Sequence, residues 1–292
     1  MTFDVPAGKY VLGVSGGVDS VVLLHLLADM PDVRIVVAHF DHGIRPDSGE
    51  DLLFVRELAQ KYGVVFESDR GNLGSEASEA EARAARYAFL RKVQNKHEAD
   101  AIITAHHQDD VLETMILNML RGTGRRGLDP MRRGDVVRPL LHMPKAELVA
   151  WARSNGLTWR EDSTNTDQKY LRNYVRHSIL PRAAAHRAAL LELHRQAQVR
   201  NDEIDALMSE LDGYILNDAG ELIRQRASVL PFAVLKEYLH HLFVRREVQD
   251  VSTEVLTRAA VAVKTLPTGK RIDLGTSHWL VSKKASVQIL SK

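Results

Sequence analysis

Three short clusters in this chain have the residue types and spacing that chemistry needs. The first is Ser15-Gly16-Gly17-Val18-Asp19-Ser20. Two glycines allow a tight turn, so that amide N–H groups and the positive end of a following helix converge on an anion, with the Ser15 and Ser20 hydroxyls as further donors. The direct reading is a phosphate-binding loop; the plainer one is a serine- and glycine-rich turn with Asp19 near a helix start. The second cluster, His39-Phe40-Asp41-His42-Gly43-Ile44-Arg45, could by itself be a loop with a capping aspartate. The third is Ala105-His106-His107-Gln108-Asp109-Asp110-Val111-Leu112-Glu113. On a helix, His106 and Asp110 lie four apart, as do Asp109 and Glu113, so their side chains stack at the helix entry. Such a set suits divalent-metal ligation for phosphate hydrolysis, counter-charges for an amine, or helix capping by solvated acids. Capping explains one carboxylate, but not three acids and two histidines in a chain that already carries a phosphate loop.

Two look-alikes fail on context. Gly122-Thr123-Gly124-Arg125-Arg126-Gly127 has the G-x-G-x-x-G spacing of dinucleotide sites, yet it follows a helical pattern instead of a strand, so a mobile basic loop is expected. Gly269-Lys270 is followed by Arg271 and lacks the upstream glycine of a Walker-type loop. The chain has no cysteine, which removes disulfides, cysteine-bound zinc, iron–sulfur clusters and any thiol nucleophile.

The elements that must position these clusters alternate. Strand-like YVLGV (10–14) precedes a continuous apolar helix from Val18 to Leu27; IVVAHF (35–40) precedes DLLFVRELAQKYG (51–63); VVFES (64–68) precedes EAEARAARYAFLRKV (79–93); AIITA (101–105) precedes QDDVLETMILNMLRG (108–122). Alternation of this kind implies right-handed crossovers and an α/β fold with a mainly parallel, doubly wound sheet covered on both faces. Ligands of such sheets bind beyond the carboxyl ends of the strands, where all three clusters fall. After Pro181 a long helical run without glycine leads into a smaller, mostly helical region, with helices expected near 231–246 and 253–264 and a hairpin from RIDL and HWLVSK. The expected division is a catalytic domain over 1–183, a linker helix over 184–212 and a carboxy-terminal domain over 213–292.

A chain of 292 residues is long for one domain at ~100–200 residues each. No run approaches the ~20 apolar residues of a spanning helix, and the first residues lack a basic head and an apolar stretch, so a cytoplasmic location without a membrane partner is expected. Net charge is only +1, but it is unevenly spread: residues 121–200 hold 16 Lys/Arg against 7 Asp/Glu, and residues 1–120 hold 11 against 19. Arg121, Arg125, Arg126, Arg132, Arg133 and Arg138 fall within eighteen residues that include four glycines. Such a band is either a solvated surface or a contact for phosphate oxygens, which makes nucleic acid a candidate partner.

Ser15 to Ser20 resembles the SGGxDS signature of the N-type ATP pyrophosphatase (PP-loop) family. With HFDHGIRPDS (39–48), EARAARYAFL (81–90), TAHHQDDVLET (104–114), LRGTGRRGL (120–128), RPLL (138–141) and GLTWREDSTNTDQKYLRNYVR (156–176), it follows the order seen in tRNA(Ile)-lysidine synthases over roughly the first 180 residues. The resemblance implies a Rossmann-like PP-loop ATPase that uses ATP and Mg2+. Such a ligase adenylates the wobble cytidine of tRNA(Ile) bearing a CAU anticodon, then puts L-lysine at carbon 2, so that the codon read changes from AUG to AUA. Carried over by position, Ser15, Gly16, Gly17, Val18, Asp19 and Ser20 would hold ATP, with Asp19 also placing Mg2+. Arg45 and His106 would contact the nucleotide. Arg86, Asp110 and Glu113 would bind lysine, and Asp19, Asp110 and His106 would be catalytic. Arg121, Arg125, Arg126, Arg172 and Arg176 would contact tRNA.

The base that frees the lysine amine is left open among Asp110, His106 and substrate phosphate. A homodimer is among the assemblies the sequence allows. Departures are few: many relatives are longer, and Tyr174 stands where many carry arginine. A tRNA-thiolating PP-loop enzyme is the main alternative, disfavoured by the missing cysteines; a metal-dependent phosphohydrolase leaves the SGGVDS loop unexplained, and a non-catalytic tRNA-binding module needs no ATP site. If the basic stretch contacts tRNA phosphates, joint Arg125→Ala and Arg126→Ala replacement weakens tRNA binding. It also flattens the slope of log affinity against log salt by at most ~2, measured by filter binding across a salt series.

Overall fold

The computed structural model describes residues 3–43, 48–71, 78–132, 135–160, 171–248 and 251–292. They fall into two compact units, Met1–Arg195 and Gln196–Lys292.

The first unit is built on five parallel strands: β1 Gly8–Gly13, β2 Val33–Asp41, β3 Val65–Arg70, β4 Ala101–Thr104 and β5 Val136–Val137, in the order β3-β2-β1-β4-β5. Helices α1 Val18–Ala28, α2 Ser48–Lys61, α3 Glu79–His97, α4 Gln108–Leu120 and α5 Lys145–Ser154 accompany them. The doubly wound α/β fold expected from the alternation is thus present. β5 and α5 went unread: a strand of two residues carries no periodicity to detect.

Side chains alternate across β1 as the pleat requires. Tyr10, Leu12 and Val14 pack with Val21 and Leu24 of α1, Val55 and Leu58 of α2, and Leu148 and Ala152 of α5. Val11 points the other way, into Tyr87, Phe89, Leu90 and Val93 of α3. Both faces of the central strand are therefore buried, which is why it reads as a continuous apolar run. α3 starts at a reciprocal cap in which the Glu81 amide donates to Ser78 Oγ (3.2 Å) and the Ser78 amide donates to Glu81 Oε2 (2.8 Å).

The strand order runs outward from β1 in both directions, so the winding reverses between β1 and β4. Connections leaving these neighbours diverge to opposite faces and open a crevice beyond their carboxyl ends. The Ser15–Ser20 loop leaves β1 and the His106–Asp110 stretch leaves β4. Topology alone thus sets two of the three clusters side by side.

Farther along lie α6 Leu171–Tyr174, a π-helical turn Val175–Ile179 and α7 Leu180–Arg182. Val175, Ile179 and Leu180 pack on Ile116 and Leu117 of α4. The Gly122–Gly127 stretch, expected as a mobile loop, is tied to the end of α4 instead. Thr123 Oγ1 donates to the Asn118 carbonyl (2.9 Å), Asn118 Nδ2 donates to the Gly127 carbonyl (3.0 Å), and Arg125–Leu128 form a 3-10 turn. A Cβ at Gly127 would fall 1.9 Å from Thr123 Oγ1, so the glycine serves packing. Arg138, counted with the basic band, is turned inward: its Nη1 donates to the carbonyls of Met131 (2.8 Å) and Val136 (3.1 Å).

The division between units lies within α8 Arg187–Glu210, one continuous helix over most of the span read as a linker. The second unit continues with α9 Asp212–Ile215, β6 Leu222–Ile223, α10 Arg224–Ser228, α11 Phe232–Arg245, α12 Thr253–Thr265, β7 Arg271–Asp273, β8 His278–Ser282 and β9 Ser286–Ser291. The two expected helices appear as α11 and α12. The expected hairpin, β7 with β8, is part of a four-stranded antiparallel sheet ordered β6-β9-β8-β7. Tyr238, Leu239, Phe243, Ala259 and Val263 form the centre of its core. No helix among the described residues is long and apolar enough to cross a membrane.

Leu12 is completely buried at the sheet centre, whereas Leu53 on α2 is 54% exposed. Leu12→Ala should cost ~2–5 kcal/mol in denaturant unfolding through lost transfer energy and the cavity left behind. Leu53→Ala should change it by under ~0.5 kcal/mol.

Candidate active site

The loop after β1 is shaped by Gly16, whose φ of +93° lies in the left-handed region that favours glycine. Its carbonyl accepts from the Arg160 amide (2.9 Å), and Arg160 also pairs with Glu50 (2.7 Å) and Asp51 (3.0 Å) at the start of α2. Inside the loop the Ser20 hydroxyl donates to the Gly17 carbonyl (2.9 Å) and lies 3.4 Å from the Ser15 hydroxyl. Gly17 is the cap residue of α1 and offers no side chain to the helix's first amides. Those N–H groups, with the helix's positive end, form a seat for phosphate.

Asp19, in the first turn of α1, carries its contacts on one oxygen. Oδ2 lies 3.3 Å from Lys145 Nζ and 3.5 Å from His107 Nε2, whereas Oδ1 is buried with no hydrogen-bond partner. His107 Nε2 also lies 3.4 Å from Asp110 Oδ2, and that oxygen accepts from the His107 amide (3.0 Å). Burial alone would raise the Asp19 carboxyl, but His107 and Lys145 opposite it hold it below the usual aspartate value. Burial would likewise lower the His107 imidazole, and the flanking Asp19 and Asp110 raise it above its ordinary value. Among the described residues no group of three or more His, Cys, Asp or Glu side chains could hold a metal by itself. One buried, unpartnered carboxylate oxygen beside a phosphate seat does fit Mg2+, which takes one or two carboxylates and fills its coordination with water and phosphate oxygens.

Across the crevice the chemistry changes. His106 accepts or donates through Nδ1 with Thr104 Oγ1 (2.8 Å). Burial, then the positive charges of Arg86, Arg138, Arg83 and Arg172, hold it neutral, well below its ordinary value. Arg86 has its Nε buried without a hydrogen-bond partner. Farther along α4, Glu113 is almost fully buried. Arg176 grips it with both prongs, Nε to Oε1 at 2.6 Å and Nη2 to Oε2 at 2.8 Å, and Arg172 Nε adds a contact at 3.4 Å. Asp109 pairs with Arg187 and accepts from the Lys145 amide (3.0 Å).

A cavity of about 760 Å3 gathers Ser15, Gly17, Val18, Asp19, Ser20, Arg86, His106, Asp110 and Arg176 on one wall system. Glu113 is on a neighbouring cavity of about 290 Å3, with Asp109, Arg176 and Arg187. Gly16 lies behind the loop, and Arg121, Arg125, Arg126 and Arg172 line neither cavity. Arg121 is exposed and Arg125 and Arg126 are half-buried. Arg45 lies outside the described residues. Lys145, His107, Trp159 and Arg160 line the cavity without a role assigned from sequence. Lys145 did carry a signal: it opens α5 directly after Pro144, where the helix dipole disfavours a cation, and such local conflicts gather at functional sites.

Residues 2–183 match the PP-loop domain. The chain belongs to the PP-loop family. It is 40% identical over 248 residues to a curated tRNA(Ile)-lysidine synthase of Thermus thermophilus, covering 81% of this chain and 49% of that protein. Against the tRNA(Ile)-lysidine synthase of Solibacter usitatus it is 33% identical over 282 residues, covering 90% and 62%. The chain thus spans about half to three-fifths of the length of these relatives. Among solved structures, the U34-tRNA thiolase NcsA from Methanococcus maripaludis superposes with a TM-score of 0.56 at 18% identity, covering 66% of this chain and 72% of that one. This likeness shows the fold shared by the PP-loop proteins.

The buried, neutral His106 makes stability depend on pH. A histidine with a lowered folded-state value stabilises the protein above its unfolded value near ~6.5 and loses that contribution as pH falls, because the unfolded chain takes up the proton first. His39, also lowered, chiefly by burial, acts in the same direction. Between pH 7 and pH 5 the unfolding midpoint should therefore drop less in His106→Gln than in the unsubstituted protein. The difference is limited to ~1.4 kcal/mol per pH unit, and denaturant titrations at three pH values measure it.

Proposed function

We propose that this PP-loop protein adenylates the wobble cytidine of tRNA(Ile) with a CAU anticodon and then ligates L-lysine to carbon 2 of that base, releasing pyrophosphate and AMP. One observation carries the reading: the phosphate loop and a wall of carboxylates and arginines share one cavity at the point where the sheet reverses its winding. The curated relatives it matches are named tRNA(Ile)-lysidine synthase. Mg2+ would sit against Asp19 Oδ1 and supply charge neutralisation for the phosphates.

In this reading the loop amides and the Ser15 and Ser20 hydroxyls bind the β and γ phosphates and orient the α phosphorus toward the cytidine carbonyl oxygen. That oxygen forms a bond to phosphorus, and the α–β bridging oxygen departs with the electron pair. The lysine ε-amine next attacks carbon 2, and AMP leaves. Arg86, with an unpartnered Nε, suits the lysine carboxylate, and Asp110 on the cavity wall suits an ammonium. Glu113 would join it by exchanging a guanidinium partner for the ligand.

The amine must lose a proton that it holds with a pKa near ~10.4 in water. His106, held neutral by burial and then by four arginines, is a weak acceptor for it, which favours Asp110 or the substrate phosphate. The unit after α8 would position the tRNA, and the setting would be the cytoplasm.

Incubation with ATP, labelled lysine and a panel of tRNAs tests the proposal: label should appear only in the wobble cytidine of the CAU isoleucine tRNA, and label in no tRNA sinks it. Removing a charge-assisted partner typically costs ~1.5–3 kcal/mol, roughly ten- to a hundredfold in binding. Glu113→Gln should therefore raise the lysine requirement by that factor while AMP transfer to tRNA without lysine persists. Lost AMP transfer with unchanged lysine dependence would move Glu113 to the nucleotide side.

A further inference from the structure

Lys145 has no role in the chemistry described so far, and its placement is costly. As the first residue of α5 it sets an ammonium at the positive end of a helix, and its side chain reaches back to Asp19 Oδ2 at 3.3 Å. The side chain is 46% exposed and borders both cavities. An ammonium has three N–H donors, and among the described residues Asp19 is its one side-chain partner.

The Asp19 carboxylate does not need Lys145 alone for balance. His107 already stands 3.5 Å from the same oxygen, while the other oxygen is left without a partner. An ammonium and an imidazole crowd Oδ2 beside a seat built for phosphate. The ammonium is the mobile member: it hangs on a flexible four-carbon stem and is half in solvent, whereas the imidazole is buried.

We propose that Lys145 is a catalytic residue of adenylation, which exchanges Asp19 for the triphosphate and donates to the α–β bridging region as that bond breaks. This rests on the ATP-dependent reading above. As the cytidine oxygen bonds to the α phosphorus, the electron pair of the breaking bond stays on the departing pyrophosphate. Charge therefore grows on an oxygen within the reach of an ammonium anchored at a rigid helix start. Donors aimed at developing charge accelerate such steps more than they tighten ground-state binding. Lys145 moves no proton; it supplies positive charge and direction.

The full chain with Lys145→Met or Lys145→Arg tests this. Single-turnover transfer of labelled AMP to tRNA at saturating ATP should fall about 100- to 1000-fold in the methionine variant, the range for losing one donor to developing charge. The arginine variant, which keeps the charge, should recover at least tenfold of that loss. Without any metal ion, calorimetry with α,β-methylene-ATP should show affinity weakened in the methionine variant, with tRNA affinity unchanged. If the methionine variant keeps both the wild-type rate and analogue affinity, Lys145 is only a counter-ion for Asp19 and the proposal is overturned. A lowered thermal midpoint in that variant shifts the decision to metal-free analogue binding by Lys145→Gln well below its own midpoint, where wild-type affinity again overturns it. Wild-type protein that transfers AMP to no tRNA defeats the ligase reading, and analogue binding then still decides the lysine's contact with the triphosphate.

Discussion

A charged carboxylate placed where two strands part must find its counter-charges among whatever the chain brings there, and Asp19 finds them on two separate segments. His107 arrives from the end of β4 and Lys145 from the start of α5, both on one oxygen of a side chain in the first turn of α1. Burying an ion is expensive unless it is paired with good geometry. The single charge at Asp19 therefore helps fix the spacing of three elements, alongside the Gln108 amide that donates to the Met143 carbonyl (3.0 Å) and the packing of α1 on α5. That spacing sets the width of the crevice between the phosphate loop and α4.

The same constraint organises the far wall. Asp109, Asp110 and Glu113 lie along the entry of α4, and three arginines from the later 171–187 stretch meet them: Arg172 and Arg176 at Glu113, Arg187 at Asp109. Val175, Ile179 and Leu180 lay the same stretch on Ile116 and Leu117. Apolar packing thus brings the guanidinium groups to the acids. Arg176 borders both cavities, as Lys145 does, and its guanidinium reaches Asp110 on one side and Glu113 on the other. A cationic ligand approaching Glu113 must compete with the bidentate Arg176 guanidinium already in place.

Neutral groups are held in place by the same field. His106 is kept uncharged by burial and then by the arginines around it; His107, one residue on and also buried, is pushed toward its charged form by the carboxylates on either side. Two adjacent histidines with identical intrinsic chemistry are driven apart by their neighbours, and most of those neighbours lie far away in sequence.

The sequence by itself determined the sheet and the loop. A short apolar run flanked by glycines, in alternation with helical patterns, reads as a buried central strand, and two glycines between serines at a strand end give the tight turn that the loop makes. These are local properties, carried by period and by backbone freedom. It also placed Asp110 and Glu113 on one helix face, because a spacing of three does so on any helix. What it could not specify was the partner of each charge. Arg172 and Arg176 were expected to contact tRNA, and their carboxylate partner, some sixty positions away, could not be read from the sequence; Arg138 read as part of a basic band although it bonds two carbonyls inward. The partner of Lys145 is undefined until α5 packs and brings it to Asp19. Electrostatic roles depend on distance in space, and that distance was decided only when the strand order reversed between β1 and β4.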